Sequence, residues 1–90
     1  MNKAELIVMI AEKFDLPRHD VSLIVDEFLD QIEKEVQKGE SVKLSNFGVF
    51  YKKERKERRG TNPGDGHIIT IPANSTLGFR PSKIVRGKLN

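Results

Sequence analysis

The sequence predicts an α+β fold. Two helices open the chain, a three-stranded antiparallel sheet sends out a long protruding β-arm, and a short helix closes it, with two copies intertwined as a dimer. Three observations predict this. Apolar residues recur at helical spacing through the first 38 or so positions and then switch to a period of two. Strand-like Gly48-Val-Phe-Tyr and Ile68-Ile-Thr-Ile-Pro flank Lys52 to Gly66 (KKERKERRGTNPGDG), which holds six basic residues, three acidic ones and no large apolar side chain. Finally, the broad apolar stripe of the second helix and Phe47, Phe50 and Phe79 need cover that a 90-residue chain has few elements to supply; a second copy is the favoured cover, and a small monomeric core closed by these aromatics is the alternative.

Asn2 can cap the first helix, with Glu5 three positions on as its reciprocal partner, and Leu6, Ile7, Ile10 and Phe14 follow at helical spacing, so a helix is expected over 3–14. Pro17 disfavours helix at Leu16 and forces a turn. Arg18 to Lys38 reads as a second helix, with Val21, Ile24, Val25, Phe28, Ile32 and Val36 on one face and Leu29 widening the stripe. Gly39 is placed to end it in the left-handed conformation. Val42 to Leu44 begins the strands, Ser45-Asn46 turns into Gly48, and Val49-Phe-Tyr starts the second strand. Asn62-Pro63-Gly64-Asp65-Gly66 is the turn of the arm, and His67 to Ala73 is read as the third strand. Leu77 to Phe79 makes a last extended piece, and Ser82 caps a helix running to Leu89. The chain is expected to be one domain over 1–90. Residues 1–40 form a helical dimerisation part, 41–81 the sheet and arm with its tip at 60–66, and 82–90 the final helix.

Charge is divided unevenly. Residues 1–40 carry five Lys/Arg against ten Asp/Glu, and residues 41–90 carry eleven against three. Such polarity assigns the scaffold to one half and a polyanion to the other. The absence of cysteine excludes disulfides and thiolate metal sites, and fits a reducing compartment. His19 and His67 are too few to build a metal centre, and no glycine-rich phosphate loop occurs, so neither cofactor nor catalysis is expected. The apolar run Leu6 to Ala11 is too short for a secretion signal, and no stretch reaches the length of a membrane span.

Four blocks resemble the bacterial HU and integration host factor family. They are Met1-Asn2-Lys3-Ala4-Glu5-Leu6-Ile7; Gly39-Glu40 with Val42-Lys-Leu and Asn46-Phe47-Gly48-Val49-Phe50; Glu54-Arg55 through Arg58-Arg59-Gly60-Thr61-Asn62-Pro63 to Ile71-Pro72-Ala73; and Phe79-Arg80-Pro81-Ser82-Lys83. The similarity covers the whole chain without a gap. It implies a histone-like, cytoplasmic, nucleoid-associated protein, either a homodimer or a heterodimer, whose two arms wrap duplex DNA through the minor groove and bend it. Nicked and junction DNA are further expected partners, and tighter binding to these distorted forms than to linear duplex would support this reading. This is the mechanism of the minor-groove architectural proteins, in which apolar wedges partly unstack a base step.

On that resemblance Pro63 is the intercalating wedge, a rigid ring with no amide donor to leave unsatisfied between bases. As a residue in a turn it could equally serve to shape the turn. Asn62 offers both donor and acceptor to the groove floor. Lys53, Arg55 and Arg59 share one face of the ascending strand, and Lys52, Lys56 and Arg58 the other; the resemblance favours Lys53, Arg55 and Arg58 as DNA contacts, with Arg59 and Thr61 beside them. Thr61 stands where the family usually has a basic residue, and Asp65 where a threonine is common. Arg80, Lys83 and Arg86 are expected to meet flanking DNA on the body, joined by Lys3. Phe28, Ile32, Leu44, Phe47, Phe50 and Phe79 are the expected dimer core. A basic arm also fits an anionic membrane surface, and relative affinity for duplex DNA and lipid at matched salt separates the two. Within DNA binding, low sequence preference is the favoured reading and a site-preferring bending factor the alternative.

Overall fold

The computed structural model describes residues 1–90. In order along the chain come α1 (Lys3–Phe14), α2 (Arg18–Gln37), β1 (Val42–Leu44), β2 (Gly48–Arg55), β3 (Arg58–Thr61), β4 (Ile68–Ile71), β5 (Asn74–Pro81) and α3 (Lys83–Leu89). The residues fall into two compact units, Met1–Lys34 and Glu35–Asn90. No helix is long and apolar enough to cross a membrane.

In the first unit the expected cap is present, since Asn2 Oδ1 accepts from the Glu5 amide at 2.9 Å. The reciprocal half is not: the Glu5 carboxylate instead lies 4.0 Å from the Met1 amino group. The helix stops one residue before the Leu16-Pro17 pair. Asp15 takes the left-handed conformation (φ 52°) and its N–H turns back to the Ala11 and Glu12 carbonyls. Lys3 and Asp26 form an ion pair between the two helices. Lys34 lies 2.8 Å from Asp30 one turn earlier on α2. The hydrogen bond to that carboxylate, and then its charge, hold the Lys34 ammonium above the ordinary lysine pKa.

The second unit begins with the last turn of α2. Gly39 has φ 87°, and the Gly39 and Glu40 amides donate to the Val36 and Glu35 carbonyls at 2.9 and 3.1 Å, so the left-handed cap is as expected. The body sheet has strand order β1-β2-β5, all antiparallel. This corrects one boundary. The third strand of the body sheet is Asn74–Pro81, which pairs with the whole of β2, whereas Ile68–Ile71 belongs to the separate two-stranded arm with Arg58–Thr61. The two ladders keep one register: Phe50 faces Phe79, Arg55 faces Asn74, and Arg58 faces Ile71. Pairing lapses at Lys56-Glu57 opposite Pro72-Ala73, where Pro72 has no N–H to donate.

Register decides which side chains share a face. Val42, Leu44, Phe50, Leu77 and Phe79 lie on one side of the body sheet, and Lys43, Val49, Tyr51, Lys53 and Arg80 on the other. On the apolar side Phe79 packs against Phe50 and Phe47, with ring centroids 4.7 and 5.4 Å apart. The contact is close because Gly48 has no side chain: a Cβ there would sit 2.6 Å from the Phe79 ring and from the Arg80 carbonyl oxygen. At Gly78 a Cβ would run into the Tyr51 ring on the other side.

The chain covers little of its own apolar surface. The hydrophobic side chains it buries are Ala11, Val21, Ile32 and Val36, while Phe28, Phe47 and Phe79 are 52%, 48% and 41% exposed. Leu44 and Phe50 are half-buried, and Ile32 is already buried within one copy.

Gly48→Ala is expected to destabilise the protein by about 1–3 kcal/mol, the usual cost of an overpacked core, in chemical denaturation. Unchanged stability would contradict the close approach of Gly48 to Phe79.

Candidate nucleic-acid interface

The arm is a cationic strand paired with an isoleucine strand. Arg58 and Gly60 share one face with Ile69 and Ile71, and Arg59 and Thr61 share the other with Ile68 and Thr70. Ile68 and Ile69 remain exposed, so the ribbon presents apolar as well as charged surface. At its root Arg55, Lys56, Glu57 and Arg58 line a hollow with Ile71 and Pro72, where the ladder lapses.

Electrostatics sort the side chains further. Glu54 is engaged laterally: the Ser75 hydroxyl donates to it at 2.7 Å and Lys52 lies 3.9 Å away. None of Lys53, Arg55, Arg58 and Arg59 pairs with a carboxylate, and all are exposed. They form a row of cations held by strand pairing and free to meet phosphate.

The tip is tied by its own backbone. The Asn62 amide donates to the His67 carbonyl at 2.7 Å, the Gly66 amide returns to the Asn62 carbonyl at 2.8 Å, and Gly66 supplies the required positive φ of 76°. Asn62 Oδ1 accepts from the Gly64 amide at 2.9 Å. Asp65 binds His67 twice, through the His67 amide at 2.9 Å and the ring Nδ1 at 3.0 Å. Asp65 is therefore turned onto its neighbour. Pro63 is exposed at the apex.

The second basic group lies on the body. Arg80, Lys83 and Arg86, with Lys43 and Asn46, line one hollow to which no carboxylate contributes. Arg80 sits with its guanidinium 5.6 Å from the Tyr51 ring centroid, which orients it. Ser82 Oγ accepts from the Val85 amide at 3.2 Å and so starts α3, which carries Lys83 and Arg86. The Ser82 amide donates to the Phe47 carbonyl at 2.8 Å, fixing the entry to that helix. Lys43 and Asn46 were not foreseen from the sequence. Alternation in β1 was the available signal, because Val42 and Leu44 facing inward turn Lys43 to the face that carries Arg80, with Val49 between them. Asn46 gives less away, since its left-handed backbone (φ 65°) is set by the turn into Gly48. Lys3 belongs to the other unit and is occupied by Asp26, so it is not free as the other cations are.

A ribbon of cations ending in an exposed proline, with a second basic hollow on the supporting sheet, defines a protein built to grip a polyanion. The comparisons give this class its family. The sequence model described as bacterial DNA-binding protein matches residues 1–90. The chain is 40% identical over 90 residues to DNA-binding protein HU of Clostridium pasteurianum, covering 100% of this chain and 99% of that protein. It is 38% identical over 90 residues to integration host factor subunit alpha of Anaeromyxobacter sp. (strain Fw109-5), covering 100% and 91%. Among solved structures it matches HU from Anabaena, cocrystallised with DNA, with TM-score 0.91 and 35% identity over 99% of this chain and 97% of that one. The chain belongs to the bacterial DNA-binding protein family, which includes HU and integration host factor.

Proposed function

We propose that two copies of this chain form an intertwined homodimer that wraps and bends duplex DNA through the minor groove with low sequence preference, compacting the nucleoid. The carrying observation is the arm: Lys53, Arg55, Arg58 and Arg59 have no carboxylate partner, and the ribbon ends in an exposed proline. Lys53, Arg55, Arg58 and Arg59 contact the backbone and groove walls, Thr61 and Asn62 reach the groove floor, and Pro63 enters a base step. The body hollow of Arg80, Lys83 and Arg86 meets flanking DNA, with Lys3 joining after leaving Asp26. Unstacking a step costs a few kcal/mol, offset by the longer contact that a bent duplex permits. The reading gives the protein no catalytic step and places it in the cytoplasm, on the chromosome.

The dimer follows from exposed aromatics. Phe28, Phe47 and Phe79 are each about half exposed, and burying the remaining half of one such side chain contributes about 1 kcal/mol. A second copy covers these faces, and Phe28, Ile32, Leu44, Phe47, Phe50 and Phe79 form the shared core. The helical dimerisation part over 1–40, the sheet and arm over 41–81 and the closing helix over 82–90 then act as one domain. The similarity to integration host factor subunit alpha favours the alternative, a site-preferring bender able to pair with a different partner subunit.

Sedimentation at micromolar concentration should find dimers, and a folded monomer there would remove the shared core. In a fluorescence bending assay on end-labelled duplex, Pro63→Ala should retain binding and lose much of the bend, and a bend as sharp as the parent's would refute the wedge. Affinity should fall about a thousandfold or more between about 50 and 200 mM salt, as expected when about six phosphates are neutralised.

A further inference from the structure

The tip turn engages most of Asn62's hydrogen-bonding groups and leaves its side-chain nitrogen as the donor without a partner in the chain. Its backbone N–H and C=O are both used, toward the His67 carbonyl and the Gly66 amide. Its side-chain oxygen accepts from the Gly64 amide at 2.9 Å. A backbone N–H can only donate, so this bond fixes which end of the amide is oxygen and leaves the nitrogen without a partner in the chain. The neighbouring acceptor, Asp65, has one oxygen on the His67 amide and the other on the His67 ring. The Thr61 hydroxyl donates or accepts equally well and discriminates nothing.

The minor-groove floor is asymmetric toward such a tip. A·T pairs present only acceptors there, in either orientation, whereas G·C adds the guanine amino donor. An unpartnered amide nitrogen finds a partner on the first and meets a second donor on the other. We propose that Asn62 is a specificity-determining residue, favouring A·T over G·C at the base step the arm tip enters by donating from its amide nitrogen while Gly64 retains its oxygen. The inference rests on the minor-groove reading above and deepens it. A protein with low overall sequence preference carries a local bias set by one turn. Because no arginine is involved, the bias is chemically distinct from charge attraction to a narrow groove.

Alternating copolymers test it, since their uniform sequence makes the position of the tip irrelevant. Inosine differs from guanine only in lacking the groove amino group, so dI-dC offers the floor of A·T within otherwise guanine-like pairs. The full-length parent is compared with Asn62→Asp, which keeps an oxygen for Gly64 and replaces the donor by an acceptor, and with Asn62→Ala. The expected result is that the ratio of affinities for dI-dC over dG-dC falls about fivefold or more in both variants, the worth of one neutral hydrogen bond, with dA-dT behaving as dI-dC. The extra negative charge of Asn62→Asp weakens binding to all three polymers and cancels in the ratio. An unchanged ratio in both variants, with all three polymers still bound, overturns the role of Asn62 and leaves the DNA-bending reading intact. Failure of the parent to bind any of them overturns both.

Discussion

A single antiparallel register, running from the aromatic cluster to the arm tip, is the constraint on which the second unit depends. Phe50 opposite Phe79 and Arg58 opposite Ile71 belong to the same alignment, although the ladder lapses between them. The alignment is anchored where it is most crowded. Gly48 and Gly78 let Phe79 and Tyr51 lie against the backbone from opposite sides of the sheet, and a slip of one residue would place a side chain in those spaces and send every aromatic to the wrong face. Because pairing resumes in the same register beyond Pro72, the cluster that orders the body also decides which arm residues face one another at the tip.

The same alternation separates adhesion from recognition. One side of the body sheet is aromatic and exposed, the other carries Lys43, Lys53 and Arg80 with Tyr51. Neither side is satisfied by one copy of the chain alone: the first lacks a cover and the second lacks counter-charges. A second copy answers the first and a nucleic acid the second. Acidic residues of 1–40 fit this division, pairing with lysines of the same part, as Asp26 does with Lys3 across the two helices and Asp30 with Lys34 along α2.

Much of this was legible in the sequence because it is local. The Asn2 and Ser82 caps, the left-handed Gly39 and the tip turn are set by a few neighbouring residues, and the structure has them where expected. The strand Asn74–Pro81 was underread because Asn74-Ser75-Thr76 has no apolar alternation, and its extended state comes from eight residues of pairing with β2. The left-handed Asp15 that closes the first helix carries no marker beyond an aspartate's tolerance for that conformation. The basic arm was plain from composition, but its chemistry was not. That Glu54 is held by Ser75, that Asp65 folds onto His67 and that Asn62 holds the Gly64 amide through its oxygen all depend on geometry in three dimensions. Lys43 shows a different case: its outward position follows from Val42 and Leu44, and only its proximity to Arg80 required the sheet order.

The central claim is that the arms, not the body, bend DNA. It is tested most directly by replacing residues 53–71 with a tight turn and measuring end-to-end distance in a labelled duplex bound by the shortened protein. The account predicts an intact dimer that holds DNA weakly through its body and leaves it straight. A shortened dimer that curves the duplex as strongly as the parent would contradict it.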